Sequence, residues 1–234
     1  MLDYQKTPLG NLMLRRRKIP SLDDLVVHEV LLNDEFLMSS LFHCAEEALA
    51  DLGLAAAMGD PLDVVVGGLG LGYTAAAALK CPRLGSLHVI DFLEPVIRWH
   101  QLGLVPLGKE LCADPRCHLV LGDFFNLAGR PDEGFDPATP GRQFHAILLD
   151  IDHTPGHWLH PRHASFYSEE GLGRMKEQLQ PGGVFAMWSD GLPDEPFLGV
   201  LQKVFTQARA EVVSFPNPLR GEDSSSTVYV AQDT

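Results

Sequence analysis

The sequence lacks several features that would place a protein in a special class. Its four cysteines form no Cys-x-x-Cys pair, which excludes a redox motif or a zinc site of that spacing. No apolar run is long enough for a membrane helix, since the stretch from Leu52 to Leu79 is broken by acidic residues, a proline and glycines. The residues after Met1 do not follow the pattern of a signal peptide. We therefore expect a cytoplasmic protein that needs no disulfides and does not bind membranes.

Positive charge is also scarce. The chain has 18 Lys and Arg against 31 Asp and Glu, a formal net charge of −13. A protein of this sign repels phosphate backbones, which disfavours nucleic acids and anionic membranes as partners. The charge favours small cationic substrates such as polyamines, although it also serves solubility alone. The 234 residues suffice for one α/β domain with a small extension.

The order of apolar runs and turns predicts two parts. Residues 1–38 contain short β-type runs separated by turn residues, which predict a small N-terminal β-hairpin unit. Residues 39–234 predict an α/β domain whose first helix is capped by Ser39 or Ser40 and ends near Gly53. Strands and helices then alternate at βα spacing, so the sheet should be mostly parallel and covered on both faces.

The first two strand ends of this domain suit a nucleotide or nucleoside. Gly68, Gly70 and Gly72 alternate in the turn after an apolar strand, where glycine allows a tight turn and a close approach of the ligand. Asp91 ends the next strand, where a carboxylate can accept hydrogen bonds from both ribose hydroxyls. Glu94 is the competing residue for that role.

The third strand end supplies Asp123 and Phe124. The carboxylate of Asp123 can accept from an adenine amino group, and the ring of Phe124 can pack on the base. A NAD-dependent oxidoreductase would explain the glycines and Asp91 but gives Asp123 no role. The joint placement of the glycines, Asp91 and Asp123 at three successive strand ends therefore favours a different adenosine-containing ligand.

The fourth strand end carries the residues suited to catalysis. Asp150 ends the strand and should face the reacting end of the bound cofactor, and Asp152 points the same way if the extended geometry persists. A carboxylate here can bind an ammonium group and accept its proton. If the acceptor is a hydroxyl or a carbon acid, His153 or His157 is the better base.

Three more residues are candidate substrate contacts. His153 and Trp158 follow the fourth strand, where Trp158 could cover a substrate, and Asp190 ends the fifth strand on the same rim. Four histidines lie close together at positions 153, 157, 160 and 163, but their spacing matches no closed metal site. We predict no metal.

These segments together resemble the spermidine-synthase-like family of class I S-adenosylmethionine-dependent transferases. The resemblance covers most of residues 60–190. The similar segments are Gly67–Thr74, Ile90–Ile97, Gly122–Asp123, Leu149–Asp152 and Leu179–Gly183. The resemblance implies a Rossmann-like, methyltransferase-type fold with a mostly parallel seven-stranded sheet, and it implies a homodimer.

The resemblance also implies an activity. It implies a nucleoside site at Gly68, Gly70, Asp91 and Asp123 and makes Asp150 the catalytic carboxylate. The donor would be S-adenosylmethionine or its decarboxylated form, and an aminopropyl group would move to an amine. Two alternatives stay open. Gly70 stands where the family carries an aspartate, which favours a small-molecule methyltransferase, and a non-catalytic nucleoside-binding dimer is the other.

Overall fold

The N-terminal part of the chain forms a sheet of its own. The computed structural model describes residues 1–233, so residue 234, the last of the predicted second domain, lies outside the described residues. The first sheet is antiparallel, in the order β1-β2-β3-β4. Its strands are β1 (Asp3–Thr7), β2 (Gly10–Ile19), β3 (Leu25–Leu32) and β4 (Glu35–Ser39). The predicted hairpin unit therefore holds four strands.

The second sheet has seven strands in the order β10-β11-β9-β8-β5-β6-β7. They are β5 (Leu62–Gly67), β6 (Leu84–Asp91), β7 (Cys117–Leu121), β8 (Phe144–Leu149), β9 (Leu179–Asp190), β10 (Gln207–Asn217) and β11 (Glu222–Gln232). Strands β5 to β9 run parallel, whereas β11 is antiparallel to both of its neighbours, β9 and β10. The predicted seven-stranded, mostly parallel sheet is confirmed.

Helices cover both faces of this sheet. They are α1 (Cys44–Ala56), α2 (Tyr73–Leu79), α3 (Glu94–Gln101), α4 (Gly108–Ala113), α5 (Phe124–Ala128), α6 (Glu169–Lys176) and α7 (Glu195–Val204), with 3-10 turns at Pro20–Leu22 and Pro161–Tyr167. Val64 and Val66 face the core under α1 to α4, and Val65 faces the core under α5 to α7. The run of three valines is apolar throughout because successive side chains of a strand point to opposite faces, and both are buried. Within residues 1–233, no helix is long and apolar enough to cross a membrane.

The start of α1 corrects the sequence prediction. Ser39 belongs to β4, and its hydroxyl accepts from the Leu41 amide at 3.2 Å. The Ser40 hydroxyl accepts from the His28 amide of β3 at 3.0 Å. Because both hydroxyls bind the N-terminal sheet and its exit turn, neither caps a helix, and α1 begins at Cys44 and extends to Ala56.

The strand order reverses between β5 and β8. The chain moves outward from β5 to β6 and β7 and then returns to β8 on the other side. Open α/β sheets bind their ligands at the carboxyl ends of the strands at such a point. Here the Asp150 amide donates to the Gly67 carbonyl at 2.8 Å, and the Gly68 amide donates to the Ile90 carbonyl at 2.9 Å. These bonds fix the glycine loop between the ends of β6 and β8.

Candidate active site

Two cavities open at this edge of the sheet. A smaller cavity of about 480 Å³ lies over the glycine loop and the ends of β6 and β7. A larger cavity of about 710 Å³ lies between β4, α1 and the β10–β11 hairpin. The residues that line both cavities are Leu37, Met38, Gly70, Asp150, Ile151 and Leu159. Asp150 is the one ionisable residue among these, so it belongs to the wall between the two cavities.

The glycine loop needs glycine at specific positions. Gly68 and Gly70 line the smaller cavity with φ of +95° and +48°. A Cβ atom on Gly68 would lie 2.0 Å from the backbone oxygen of Asp150, so no side chain fits there. Gly72, with φ of +93°, lines the larger cavity and precedes α2. The predicted loop is therefore present, with Gly68 on the smaller cavity, Gly72 on the larger one and Gly70 on both.

Asp91 lies at the end of β6 and lines the smaller cavity, as predicted. Its two oxygens accept from the Leu69 amide at 2.9 Å and from the Leu93 amide at 2.8 Å. Burial raises the pKa of the Asp91 carboxyl above its usual value. Each oxygen keeps a further lone pair for a ligand hydroxyl. The competing Glu94 does not line this cavity and lies instead beside a third cavity of about 480 Å³.

Asp123 lines the smaller cavity and caps the first turn of α5. Phe124 also lines the smaller cavity, but its ring is only 2% exposed and stacks on Phe135 with centroids 5.0 Å apart. That ring is part of the hydrophobic core. The neighbouring Phe125 is half-buried, lines the cavity and stacks on His163 with centroids 3.9 Å apart. Phe125 therefore offers this cavity a more exposed ring than the predicted Phe124 does.

Asp150 follows β8 and accepts from the Thr74 hydroxyl of α2 at 2.7 Å. Burial raises the pKa of its carboxyl to about 6. Glu46, in the first turn of α1, lines the larger cavity with Asp150. Burial, followed by the charge of Asp150, raises the pKa of Glu46 to about 8. The sequence analysis missed Glu46, since it belongs to no motif and lies far from Asp150 along the chain.

Asp152 does not point the same way as Asp150. Strand β8 ends at Leu149, so the alternation of an extended strand does not continue into this loop. The Asp152 side chain is fully buried and accepts from the Leu159 amide at 2.7 Å and the Tyr167 hydroxyl at 2.8 Å. His163 Nδ1 lies 2.9 Å from the same carboxylate. Asp152 lines neither cavity and fastens the loop after β8 to the 3-10 turn, so its predicted catalytic role is corrected to a structural one.

His153 and Asp190 both line the larger cavity, and the Asp190 amide donates to the His153 carbonyl at 2.8 Å. Burial lowers the pKa of His153, and the nearby His157 lowers it further. Trp158 lines neither cavity, which corrects its prediction as a substrate cover. Its indole N–H donates to the Pro155 carbonyl at 2.7 Å, so the side chain stabilises the turn between residues 155 and 158.

The histidines of this segment form pairs. The rings of His153 and His157 lie 4.9 Å apart, and those of His160 and His163 lie 5.9 Å apart. Within the described part of the chain, no group of three or more His, Cys, Asp or Glu side chains is arranged to hold a metal ion.

Comparisons with solved structures show which known proteins share the fold of this chain. No protein-family model matches the chain. A spermidine synthase in complex with the transition state analogue AdoDATO has a TM-score of 0.75 at 16% identity, covering 99% of this chain and 73% of that one. Spermidine synthase from Thermotoga maritima has a TM-score of 0.73 at 16% identity, covering 99% and 72%. Human methyltransferase-like protein 13 in complex with SAH has a TM-score of 0.52 at 18% identity, covering 82% and 80%. At these identities the likeness shows a shared fold.

Proposed function

Because the chain has the spermidine-synthase-like fold, we propose that it is a transferase that uses S-adenosylmethionine or its decarboxylated form and moves an aminopropyl group to an amine. The observation that carries this proposal is the position of Asp150, which lines both cavities. A group-transfer enzyme needs its donor and its acceptor on either side of one reacting centre. In this proposal the smaller cavity takes the donor and the larger one takes the acceptor.

The smaller cavity suits a nucleoside sulfonium donor. The carboxylates of Asp91 and Asp123 lie at neighbouring strand ends and can accept from ribose hydroxyls and an adenine amino group. Phe125 presents a ring for the base, and Gly68 and Gly70 let the ligand approach the backbone. When bound, such a donor supplies an electrophilic carbon next to its positive sulfur.

Asp150 then acts on the acceptor. An amine in water is protonated at neutral pH, with a pKa of about 10, and must lose a proton before or as it attacks. Asp150 can bind the ammonium group and receive that proton. The new carbon–nitrogen bond forms as the carbon–sulfur bond of the donor breaks, and the electron pair stays on sulfur. Thr74, which donates to the Asp150 carboxylate at 2.7 Å, holds it in place.

Methyl transfer is the second candidate, and one observation favours it. Gly70 occupies the position at which the resemblance predicts an aspartate for the amino group of the decarboxylated donor. A Cβ atom at Gly70 would lie 2.7 Å from the sulfur of Met38, which takes up that space. The chain thus lacks a side chain that would select the decarboxylated donor at this point.

Titration calorimetry of the purified protein with both donor forms tests the proposal. We expect binding of the decarboxylated form to be stronger by about tenfold, or about 1.4 kcal/mol. The opposite preference would move the assignment to methyl transfer. If neither form binds, the proposed function is wrong.

Two variants on the same turn provide the internal comparison. Asp91→Asn removes a charge from the smaller cavity and should weaken the binding of the preferred donor by about tenfold, since a charge-assisted hydrogen bond contributes about 1.5–3 kcal/mol. Glu94→Gln changes an acid outside that cavity and should leave the affinity unchanged.

A further inference from the structure

Glu46 faces the larger cavity from the first turn of α1, as does Asp150 from the end of β8. The next residue, Glu47, has a different environment. Its carboxylate lies 3.4 Å from His43 Nδ1 and 3.8 Å from Lys80 Nζ, and it does not line the cavity. Glu47 is therefore an acid paired with basic side chains outside the cavity, whereas its neighbour Glu46 lines the cavity.

Within residues 1–233, neither Glu46 nor Asp150 forms an ion pair with Lys, Arg or His. Thr74 donates the one side-chain hydrogen bond of Asp150. Two carboxyl groups placed together in a recess without an ion-pair partner lower the free energy of unfolding, because ionising one makes it harder to ionise the other. A cation brought by a ligand would relieve this repulsion.

The surroundings also suit a cation. Aromatic residues line the same cavity. Ring faces attract ammonium groups through their quadrupole. The aromatic lining residues are Phe36, Phe42, Tyr73, Trp188 and Phe215. Other titratable residues of the lining are His153, Asp190, Arg220 and Asp223.

We propose that Glu46 is a second acceptor-binding carboxyl group, which together with Asp150 receives the ammonium group of the amine acceptor. The inference rests on the proposed function, in which the larger cavity takes the acceptor. Asp150 borders the donor side and takes the proton during transfer, whereas Glu46 lines the larger cavity alone and holds the acceptor.

The inference predicts a proton release. The raised pKa of Glu46, about 8, means that this group carries a proton in most molecules at pH 7. An ammonium group bound beside it favours the ionised form, so up to about one proton should leave on binding. Calorimetry in two buffers of different ionisation enthalpy measures this number directly.

The probe is 1,4-diaminobutane, titrated into the wild-type protein, Glu46→Gln and the matched control Glu47→Gln, without donor. We expect Glu46→Gln to weaken binding by about tenfold and to abolish the proton release. Glu47→Gln should match the wild type, because its side chain lies outside the cavity. Glu46→Asp, which keeps the carboxyl group on a shorter side chain, should recover part of the affinity and the proton release.

The outcomes separate the two proposals. If the wild type does not bind the diamine, or if Glu46→Gln binds it as the wild type does with the same proton release, the role of Glu46 is wrong. If the diamine results are as expected but neither donor form binds in the separate titration, the proposed transfer reaction is wrong while the carboxyl pair stands. Thermal unfolding of each variant confirms that the substitutions leave the protein folded.

Discussion

Asp150 and Asp152 are separated by one residue, yet their surroundings are opposite. Asp150 lines both cavities and, among residues 1–233, has one side-chain hydrogen-bond partner, the Thr74 hydroxyl. Asp152 faces inward and is surrounded by the donors of Leu159, Tyr167 and His163. Strand β8 ends at Leu149, so Asp150 and Asp152 lie in a loop and need not point the same way as alternate residues of a strand would.

The comparison shows how one residue type takes two roles in one loop. A buried carboxylate with a full set of donors stabilises the fold, because breaking the set leaves an uncompensated group. A carboxyl group in a recess without an ion-pair partner destabilises the fold and is typical of a site that serves a ligand. The two substitutions and two pH dependences that follow test this contrast, from the largest expected effect to the smallest.

Asp150→Asn should lower kcat/KM for the amine by roughly 100-fold or more, the usual contribution of a general base. Asparagine has nearly the same shape and can still accept from the Thr74 hydroxyl, so we expect the variant to fold and to bind the donor as the wild type does. Steady-state kinetics with donor and 1,4-diaminobutane measures the loss. A variant with wild-type turnover would remove Asp150 from the mechanism.

Asp152→Asn should instead lower the free energy of unfolding, by about 2–4 kcal/mol, because an amide cannot accept from all of the donors around it. Urea unfolding followed by fluorescence measures this change. Asp132→Asn is the control, since Asp132 is exposed on a loop and should change stability by less than about 0.5 kcal/mol. Equal stability of the two variants would contradict the structural role of Asp152.

The pH dependence of kcat/KM should show Asp150 directly. With a pKa raised to about 6, the carboxylate is the active form above that pH, so kcat/KM should fall by about tenfold between pH 7 and pH 5. A profile without this acidic limb would show that the ionisation of Asp150 does not control the reaction.

Stability should change with pH in the opposite sense. The folded state holds the Asp150 proton more tightly than the unfolded chain does, so this contribution to stability is present below pH 3.8 and is lost as the pH rises through about 6. Asp150→Asn should flatten this part of the stability curve. Thermal unfolding at pH 5 and pH 7 provides the measurement.

The sequence by itself determined the sheet and the smaller cavity. The buried run of three valines, the glycines that follow it and the acids at successive strand ends are local features, and parallel strands bring their carboxyl ends to one edge whatever the details of packing. Gly68, Gly70, Asp91, Asp123 and Asp150 accordingly meet at that edge.

Tertiary structure decided the larger cavity and the direction of single side chains. Glu46 comes from α1 and Phe215 from the β10–β11 hairpin, and only packing across the whole domain brings them to Asp150. Asp152 points inward because β8 has already ended at Leu149. Phe124 rather than Phe125 joins the core, and this depends on the residue at which α5 begins. A shift of one residue at such an end changes the face on which a side chain lies, and sequence patterns do not fix element ends that closely.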